Sequence, residues 1–291
     1  MPAGRYAPSP SGDLHIGNLR TAVLAWLFAR STGRDYLMRV EDLDRVRPGS
    51  EKRQLADLAA LGLDWDGPVV RQSERVHLYS DAVSDLQARG MLYECFCSRR
   101  EIREATSAPH HTPGLYPGTC RQLSEGERTQ RRRERPAALR LRSQVEQGTV
   151  VDLLHGSFTG PVDDVVLVRG DGVPSYNLAV VVDDSHQGID QVVRGDDLLD
   201  SSPRQSHLAG LLDLTTPTYA HVPLVLNTSG QRLAKRDGAV TLRDLTSAGV
   251  DPFAAIAASL GLDGHTPADL LEVWDPRFLP RDPWVFSPPL S

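Results

Sequence analysis

The sequence has few cysteines and lacks long apolar runs, and each shortage excludes a class of protein. Three cysteines among 291 residues do not provide a disulfide framework. No stretch of 18 or more apolar residues occurs, so the sequence contains no candidate membrane span. Residues 1–12 lack an apolar signal core, and we therefore expect a cytoplasmic protein without membrane attachment.

The sequence also lacks an excess of basic residues. Lys and Arg number 32 against 38 Asp and Glu, which gives a formal net charge of −6. A protein of this charge does not hold nucleic acid by general attraction, so any contact with RNA must be local. Residues 128–142 fit such a contact, because they carry seven arginines and one glutamate. A solvated charged helix is the alternative interpretation.

The order of apolar segments predicts an α/β fold built on a Rossmann-type parallel sheet. Strands that alternate with helices form parallel sheets with right-handed crossovers. The predicted strands cover 5–8, 36–40 and 191–197, the sheet pattern also includes the apolar runs 163–169 and 177–184, and helices are expected at 18–30, 50–62, 74–90 and within 241–273.

Composition divides the chain into four expected units. Residues 93–162 contain all three cysteines and the arginine run, and we interpret them as an insertion that interrupts the sheet domain. The expected units are a first half of the sheet domain at 1–92, the insertion at 93–162, a second half of the sheet domain at 163–240, and a helical stem and tail at 241–291.

The first motif, RYAPSPSGDLHIGN at residues 5–18, ends where the first helix begins. A helix start offers unpaired N–H groups and a partial positive charge, which suit a phosphate. His15 can reach such a phosphate, and Gly17 lets a flat base approach the backbone. A simple helix cap and turn is the alternative for this motif alone.

The second motif, QRLAKRDG at residues 231–238, carries a lysine between two arginines. A lysine on a mobile loop can stabilise the charge that develops on ATP phosphates during a reaction. Lys235 is the candidate for this role, and Arg232 supplies a second positive charge. Taken alone, the segment is only a basic turn.

The three cysteines have a spacing that indicates a metal site. Cys95 and Cys97 lie two residues apart, and Cys120 follows after a loop-rich stretch. Thiolates of this kind favour Zn²⁺, which prefers four tetrahedral nitrogen or sulfur ligands. General chemistry selects His110 or His111 as the fourth ligand. The metal would be structural, although three ordinary cysteines without a metal remain the alternative.

Together the two motifs resemble those of the class I aminoacyl-tRNA synthetases of the glutamyl type. Residues 15–18 resemble the "HIGH" motif with Asn18 at its last position, and residues 232–236 resemble "KMSKS" with Ala234 in place of the first serine. The resemblance covers about residues 5–245 and implies the class I catalytic fold, with ATP and Mg²⁺ as substrate. It implies catalytic roles for His15, Gly17 and Lys235. The ATP-binding residues that it implies are His15, Gly17, Asn18, Arg232 and Lys235.

The resemblance also implies a pocket for L-glutamate. A substrate with two carboxylates and an ammonium group needs fixed cations and an anion around it. Glu41 follows a buried strand and is a natural partner for the ammonium group. The family's pattern has an asparagine where this chain has Val180. The implied glutamate-binding residues are Arg5, Ala7, Ser9, Glu41, Tyr176 and Arg194.

The string YNLAVVVDD at residues 176–184 is similar to the shortened glutamyl-queuosine paralogue of these enzymes. That paralogue attaches glutamate to the queuosine base at position 34, in the anticodon stem-loop of tRNA(Asp). The resemblance implies Tyr116 as the fourth zinc ligand beside Cys95, Cys97 and Cys120. The chain ends at Ser291, too soon after the second motif for an anticodon-binding domain, so we expect none. We also expect a monomer.

Two other functions remain open at this point. The chain could be a truncated glutamyl-tRNA synthetase that charges the 3′ end of tRNA(Glu). It could also be a catalytically inactive binding module of the same fold, an interpretation that Ala234 and Val180 favour.

Overall fold

A computed structural model of the chain describes residues 1–106, 115–233 and 240–287, with the side chains of residues 105 and 106 left aside. The predictions for His110, His111, Ala234 and Lys235 lie outside these described residues. The strands are β1 (Ala3–Tyr6), β2 (Asp35–Val40), β3 (Val70–Arg71), β4 (Leu92–Cys95), β5 (Ala138–Leu141), β6 (Gln147–Asp152), β7 (Gly156–Pro161), β8 (Val166–Val168), β9 (Ile189–Gly195), β10 (Thr218–Val222), β11 (Val225–Leu226) and β12 (Trp284–Val285). The α-helices are α1 (Ile16–Arg30), α2 (Ser50–Ala60), α3 (Val76–Ala88), α4 (Arg99–Thr106), α5 (Glu125–Glu134), α6 (Tyr176–His186), α7 (Ser202–Leu211), α8 (Leu242–Ser247), α9 (Pro252–Ser259) and α10 (Pro267–Val273).

The main sheet has seven strands in the order β3-β2-β1-β9-β10-β6-β7. Its neighbouring strands are parallel except for the β6–β7 pair, which is an antiparallel hairpin at the edge. The predicted α/β fold with a parallel sheet is therefore confirmed. The strand order reverses at β1, which lies between β2 and β9, and a crevice at such a point is the usual ligand site of open parallel sheets.

Helix α1 is apolar on nearly all faces because it is covered on two sides. It packs against β1 and β9 of the sheet, and α9 and α10 cover it from the other direction. Leu19, Val23 and Leu27 of α1 are fully buried, and they share one apolar core with Phe253 and Ile256 of α9. The carboxyl-terminal helices thus join the core of the catalytic domain.

The apolar run 177–184, which the sheet pattern included, lies instead within helix α6. Ser175 begins this helix, since its hydroxyl group accepts a hydrogen bond from the Leu178 N–H at 3.3 Å. A short apolar run buried on several faces has no periodicity that separates strand from helix. The side chains of 178–184 are all buried, which explains why the sequence resembled a central strand.

The two parts of the predicted insertion belong to different sheets. Strands β4 and β5 form a small antiparallel sheet with β8, whereas β6 and β7 extend the main sheet beside β10. The division of the chain into domains stays a prediction. Across the described residues, each helix is too short or too polar to span a bilayer.

The shared core predicts that shortening Ile256 destabilises the whole catalytic domain. Ile256 is 0% exposed, so Ile256→Ala leaves a cavity and should lower the free energy of unfolding by about 2–5 kcal/mol. Val273→Ala is the control, because Val273 is 57% exposed and its loss should change stability by less than about 0.5 kcal/mol. Chemical denaturation monitored by circular dichroism measures both. Equal effects would show that α9 does not belong to this core.

Candidate active site and metal centre

A cavity of about 820 Å³ lies at the carboxyl ends of β1, β2 and β9. The structure thus brings together side chains from segments that are far apart in the sequence. All predicted glutamate- and ATP-binding residues within the described part of the chain line this cavity: Arg5, Ala7, Ser9, His15, Gly17, Asn18, Glu41, Tyr176, Arg194 and Arg232.

His15 caps helix α1 with its own ring. Its Nδ1 atom accepts hydrogen bonds from the N–H groups of Gly17 at 3.1 Å and Asn18 at 3.3 Å. In return, the Asn18 side chain accepts a bond from the His15 N–H at 3.2 Å. The N–H groups of Gly17 and Asn18, which were expected to bind a phosphate, therefore already donate to the His15 imidazole ring. A phosphate at this helix start would contact the ring before those N–H groups.

The described residues on either side of segment 234–239, which holds most of the second motif, lie near the first motif. The Ile16 N–H donates to the Val240 carbonyl oxygen at 2.8 Å, just after the second motif. Before that motif, the Leu233 N–H donates to the Val225 carbonyl oxygen at 3.0 Å. Arg232 pairs with Asp197 at the cavity rim. The residues on both sides of segment 234–239 are thereby fixed beside the start of α1.

Arg5 and Glu41 reach the cavity from adjacent strand ends and belong to one buried charge cluster. Arg5 donates to Asp184 of α6 at 3.1 Å, and Arg39 donates to the same carboxylate at 2.7 Å. Arg39 also contacts Glu41, whose carboxylate lies 3.4 Å away. Burial raises the pKa of Glu41, although Arg39 and Arg5 act in the opposite direction. Asp184 is also buried, but Arg5 and Arg39 overcome that effect and lower its pKa.

Arg194 reaches the cavity from the end of β9, and several polar groups hold its guanidinium group. Its nitrogen atoms donate to the Tyr176 hydroxyl at 3.3 Å, the Ser202 hydroxyl at 2.7 Å and the His221 ring at 3.0 Å. Asp152 accepts from the other nitrogen of His221 at 2.6 Å. The sequence analysis missed Ser202, His221 and Asp152. His221 is marked only as a polar residue within strand β10, and Asp152 and Ser202 stand at the end of a strand and the start of a helix, where polar residues are ordinary.

Val180 lies within helix α6 and does not line the cavity. It is 1% exposed and packs in a separate apolar cluster that includes Leu178 and Leu208. The position where the glutamyl family has asparagine is therefore filled by core packing in this chain. Tyr176, one turn earlier on the same helix, is 40% exposed and contributes to the cavity wall.

The three cysteines converge outside the cavity, between β4 and the turn before α5. Their sulfur atoms all lie within 4.8 Å of one another. The Tyr116 hydroxyl lies 3.3 Å from the Cys95 sulfur and 3.7 Å from the Cys97 sulfur, so four donor atoms form one group. Hydrogen bonds from Cys120 and then Cys97 lower the pKa of the Cys95 thiol. Three sulfurs and one oxygen at this spacing fit a tetrahedral zinc ion.

Protein groups already contact most arginines of residues 128–142. This reduces the positive charge that the segment can offer to RNA, since a salt-bridged guanidinium group attracts phosphate less strongly. Three of these arginines pair with glutamates and two lie over tyrosine rings: Arg128 and Arg132 with Glu125, Arg135 with Glu101, Arg140 over Tyr116, and Arg142 over Tyr93.

The fold and this cavity define a class of enzyme. The family model for the catalytic domain of class I tRNA synthetases (E and Q) matches residues 3–277. Glutamate-tRNA synthetase from Elizabethkingia anophelis superposes with a TM-score of 0.81 at 27% identity, over 99% of this chain and 68% of that one. A glutamate tRNA ligase from Elizabethkingia meningosepticum, in complex with its amino acid, gives 0.79 at 27% identity, over 98% of this chain and 66% of that one.

Sequence relatives narrow the class further. A glutamyl-Q tRNA(Asp) synthetase from Nocardia farcinica is 64% identical over 289 residues, which are 98% of this chain and 93% of that protein. One from Cutibacterium acnes is 54% identical, over 89% of this chain and 76% of that protein. The chain therefore belongs to the family of the glutamyl-Q tRNA(Asp) synthetases, a branch of the class I tRNA synthetases.

The buried cluster predicts that the charge of Asp184 is essential for stability. Asp184→Asn keeps the shape but leaves Arg5 without its buried countercharge and Arg39 with only the more distant Glu41 and Asp183, and breaking a buried pair costs about 3–5 kcal/mol. Asp190→Asn is the matched control, since its pair with Arg34 is partly exposed and should contribute less than about 1 kcal/mol. Urea unfolding at neutral pH compares the two variants.

The same cluster predicts a pH dependence with a defined sign. The folded-state pKa of Asp184 lies below its ordinary value of 3.8, so its stabilisation is complete above that value. The stabilisation is lost as the pH falls through the folded-state value. The stability gap between wild type and Asp184→Asn should therefore close below pH 3.8. A gap that persists unchanged in acid would contradict the assignment.

Proposed function

We propose that this chain activates L-glutamate with ATP and transfers the glutamyl group to the queuosine base at position 34 of tRNA(Asp). The observation that carries the activation chemistry is the convergence of ten predicted residues from distant segments on one cavity. The acceptor is supported by the family, whose members in Nocardia farcinica and Cutibacterium acnes are named for it.

The cavity has the charges that glutamate requires. Arg5 and Arg194 offer cations for the two carboxylates, and Tyr176 offers a neutral hydroxyl group between them. Glu41 faces the same space and would pair with the ammonium group. Burial opposes the ionisation of Glu41, so a bound ammonium ion would stabilise its charged form.

We place ATP at the start of α1 beside the second motif. His15, Gly17 and Asn18 would contact the nucleotide, and Arg232 and Lys235 would contact its phosphates. Class I synthetases use ATP with Mg²⁺, which neutralises phosphate charge. An oxygen of the glutamate α-carboxylate attacks the α-phosphorus, and pyrophosphate leaves. The protein contributes positioning and electrostatic stabilisation.

The second step transfers the glutamyl group to RNA. A hydroxyl group of the queuosine base attacks the carbonyl carbon of glutamyl-adenylate, and AMP leaves. We place the anticodon stem-loop against the proposed insertion at residues 93–162, on the part that lies outside the β6–β7 hairpin of the main sheet. The arginines of residues 128–142 that keep charge available for phosphates would support this contact.

We also propose that Cys95, Cys97, Cys120 and Tyr116 hold one structural zinc ion. The Cys120 N–H donates to the Tyr116 hydroxyl oxygen at 2.9 Å, and the Arg140 guanidinium lies 3.6 Å from the Tyr116 ring centre. Burial and the neighbouring Cys95 nevertheless raise the pKa of the Tyr116 hydroxyl, against the effect of the Cys120 N–H, so the zinc ion would itself supply the charge that stabilises the phenolate. The ion would fix the loop after β4 and takes no part in the reaction.

The zinc proposal predicts about one equivalent of zinc per chain in protein purified without chelators. Tyr116→Phe should weaken zinc retention by at least about tenfold, because it removes a ligand oxygen. Tyr93→Phe, a buried tyrosine that donates to Asp164, is the matched control and should retain zinc. His111→Ala should also retain it. Elemental analysis and release into a chromogenic chelator measure these outcomes, and well under half an equivalent in wild type would refute the site.

The activity is tested in two stages. Glutamate-dependent ATP–pyrophosphate exchange should proceed without RNA, and Lys235→Ala should slow it by about 10²–10³-fold, the effect of losing one electrostatic stabiliser. Labelled glutamate should then transfer to tRNA(Asp) from queuosine-producing cells but not from queuosine-lacking cells. Equal labelling of both, or preference for tRNA(Glu), would overturn the acceptor. Absence of exchange would overturn the activation chemistry and support an inactive binding module.

A further inference from the structure

The guanidinium group of Arg194 is held on three sides. Its Nε atom donates to the Nε2 atom of His221 at 3.0 Å. Its terminal nitrogens donate to Ser202 at 2.7 Å and to Tyr176 at 3.3 Å. An arginine has five N–H donors, so among the described residues these bonds leave one donor on each terminal nitrogen. Two such donors are what a carboxylate needs for bidentate binding.

His221 is itself fixed by a buried carboxylate. It is 0% exposed, and its Nδ1 atom lies 2.6 Å from Asp152 at the end of β6. The Asp152 carboxylate also accepts from three backbone N–H groups, those of Leu154 at 2.8 Å, His155 at 2.9 Å and His221 at 3.1 Å. Burial opposes its charge, but the His221 bond and these N–H groups keep the pKa of Asp152 low.

This geometry selects one form of the imidazole ring. An ionised Asp152 only accepts, so the His221 Nδ1 atom must carry the proton. Neutral His221 then presents a lone pair at Nε2, and the Arg194 Nε–H points at it. The opposite tautomer, or a protonated ring, would set an N–H group against the Arg194 N–H. The contact would then be repulsive.

We propose that Asp152 and His221 are positioning residues for glutamate binding: Asp152 fixes the tautomer whose Nε2 lone pair orients Arg194 towards a substrate carboxylate. This inference rests on the proposed function, since it assigns Arg194 to glutamate. Neither positioning residue lines the cavity. Both act through the orientation of one guanidinium group, which would otherwise sample several rotamers and bind the carboxylate less tightly.

The proposal requires His221 to be neutral at physiological pH. Burial lowers the pKa of His221 below 6.5, with Arg194 acting in the same direction and Asp152 in the opposite one. The other groups that face it are Ser202 of α7, the ring of Tyr219 stacked at 5.6 Å, and His155, whose ring nitrogen lies 3.1 Å from the His221 carbonyl oxygen. The KM for glutamate should therefore rise only once the pH falls through this lowered pKa of His221.

Two substitutions at His221 separate positioning from simple stability. The amide group of His221→Gln can place an acceptor oxygen near the Nε2 position, but it loses the donor to Asp152. His221→Asn keeps a donor near the Nδ1 position and loses the acceptor for Arg194. His221→Asn removes one buried methylene more than His221→Gln, so the melting temperature of each variant is measured beside its kinetics. ATP–pyrophosphate exchange gives the KM for glutamate, the KM for ATP and kcat for each variant.

We expect His221→Asn to raise the KM for glutamate by about 10–100-fold, the effect of losing a hydrogen bond to a charged group. The rise in the KM for glutamate should be at least about threefold smaller in His221→Gln than in His221→Asn. The KM for ATP should stay within about twofold of the wild-type value in both variants. A purely structural role would lower the melting temperature of both variants and leave the two KM values for glutamate equal. That result would overturn the proposal.

Further measurements apply where the His221 variants fail to fold. Asp152→Asn has the same shape as the wild type, but its amide can donate to Nδ1 and favour the opposite tautomer, so it should raise the KM for glutamate similarly. The wild type can also be measured from pH 7.5 to 5. A KM for glutamate that changes in parallel with the KM for ATP over this range, or that Asp152→Asn leaves at the wild-type value, would overturn the proposal. Absence of exchange in wild type at any pH would instead refute the proposed function.

Discussion

A single buried carboxylate, that of Asp184, joins the elements that form the proposed amino-acid pocket. It lies on α6 and accepts from Arg5 of β1 and Arg39 of β2, both of which are almost fully buried. Each charge alone would be expensive to bury, so the three groups are stable only as a set. The Asp184 contacts hold α6 beside the ends of two strands. Tyr176, at the first turn of α6, therefore lines the same cavity as Arg5 and Glu41.

On the other side of the cavity, Arg194 is likewise held by buried polar partners. Arg194 does not reach the cavity as an isolated cation, since a hydroxyl group, an imidazole ring and a tyrosine constrain it. Asp152 belongs to the β6–β7 hairpin, which lies within the predicted insertion yet pairs with the main sheet. The hairpin would therefore contribute to the proposed substrate site through His221. A change in its register would move Asp152 and disturb Arg194 without altering a cavity-lining residue.

Sequence alone predicted the cavity well because its residues sit in motifs with fixed spacing. Residues 5–18 lie on one strand, loop and helix start, so their order determines their positions. Helix α6 was missed because its apolar run is buried on several faces and shows neither the helical nor the strand periodicity of apolar residues. The Asp152–His221 bond was missed for another reason: it joins residues 69 positions apart, and no local pattern reports such a pair. The edge position of β6 and β7 depends on long-range pairing in the same way.

The central claim is that the carboxyl ends of β1, β2 and β9 form one glutamate site whose cations are fixed by buried partners. A crystal structure with a non-hydrolysable glutamyl-adenylate analogue tests it most directly. The account predicts the ammonium group beside Glu41, a carboxylate oxygen within hydrogen-bonding distance of Arg194, and an unbroken contact between Arg194 and His221. An analogue bound elsewhere, or an Arg194 side chain turned away from His221 to reach it, would contradict the account.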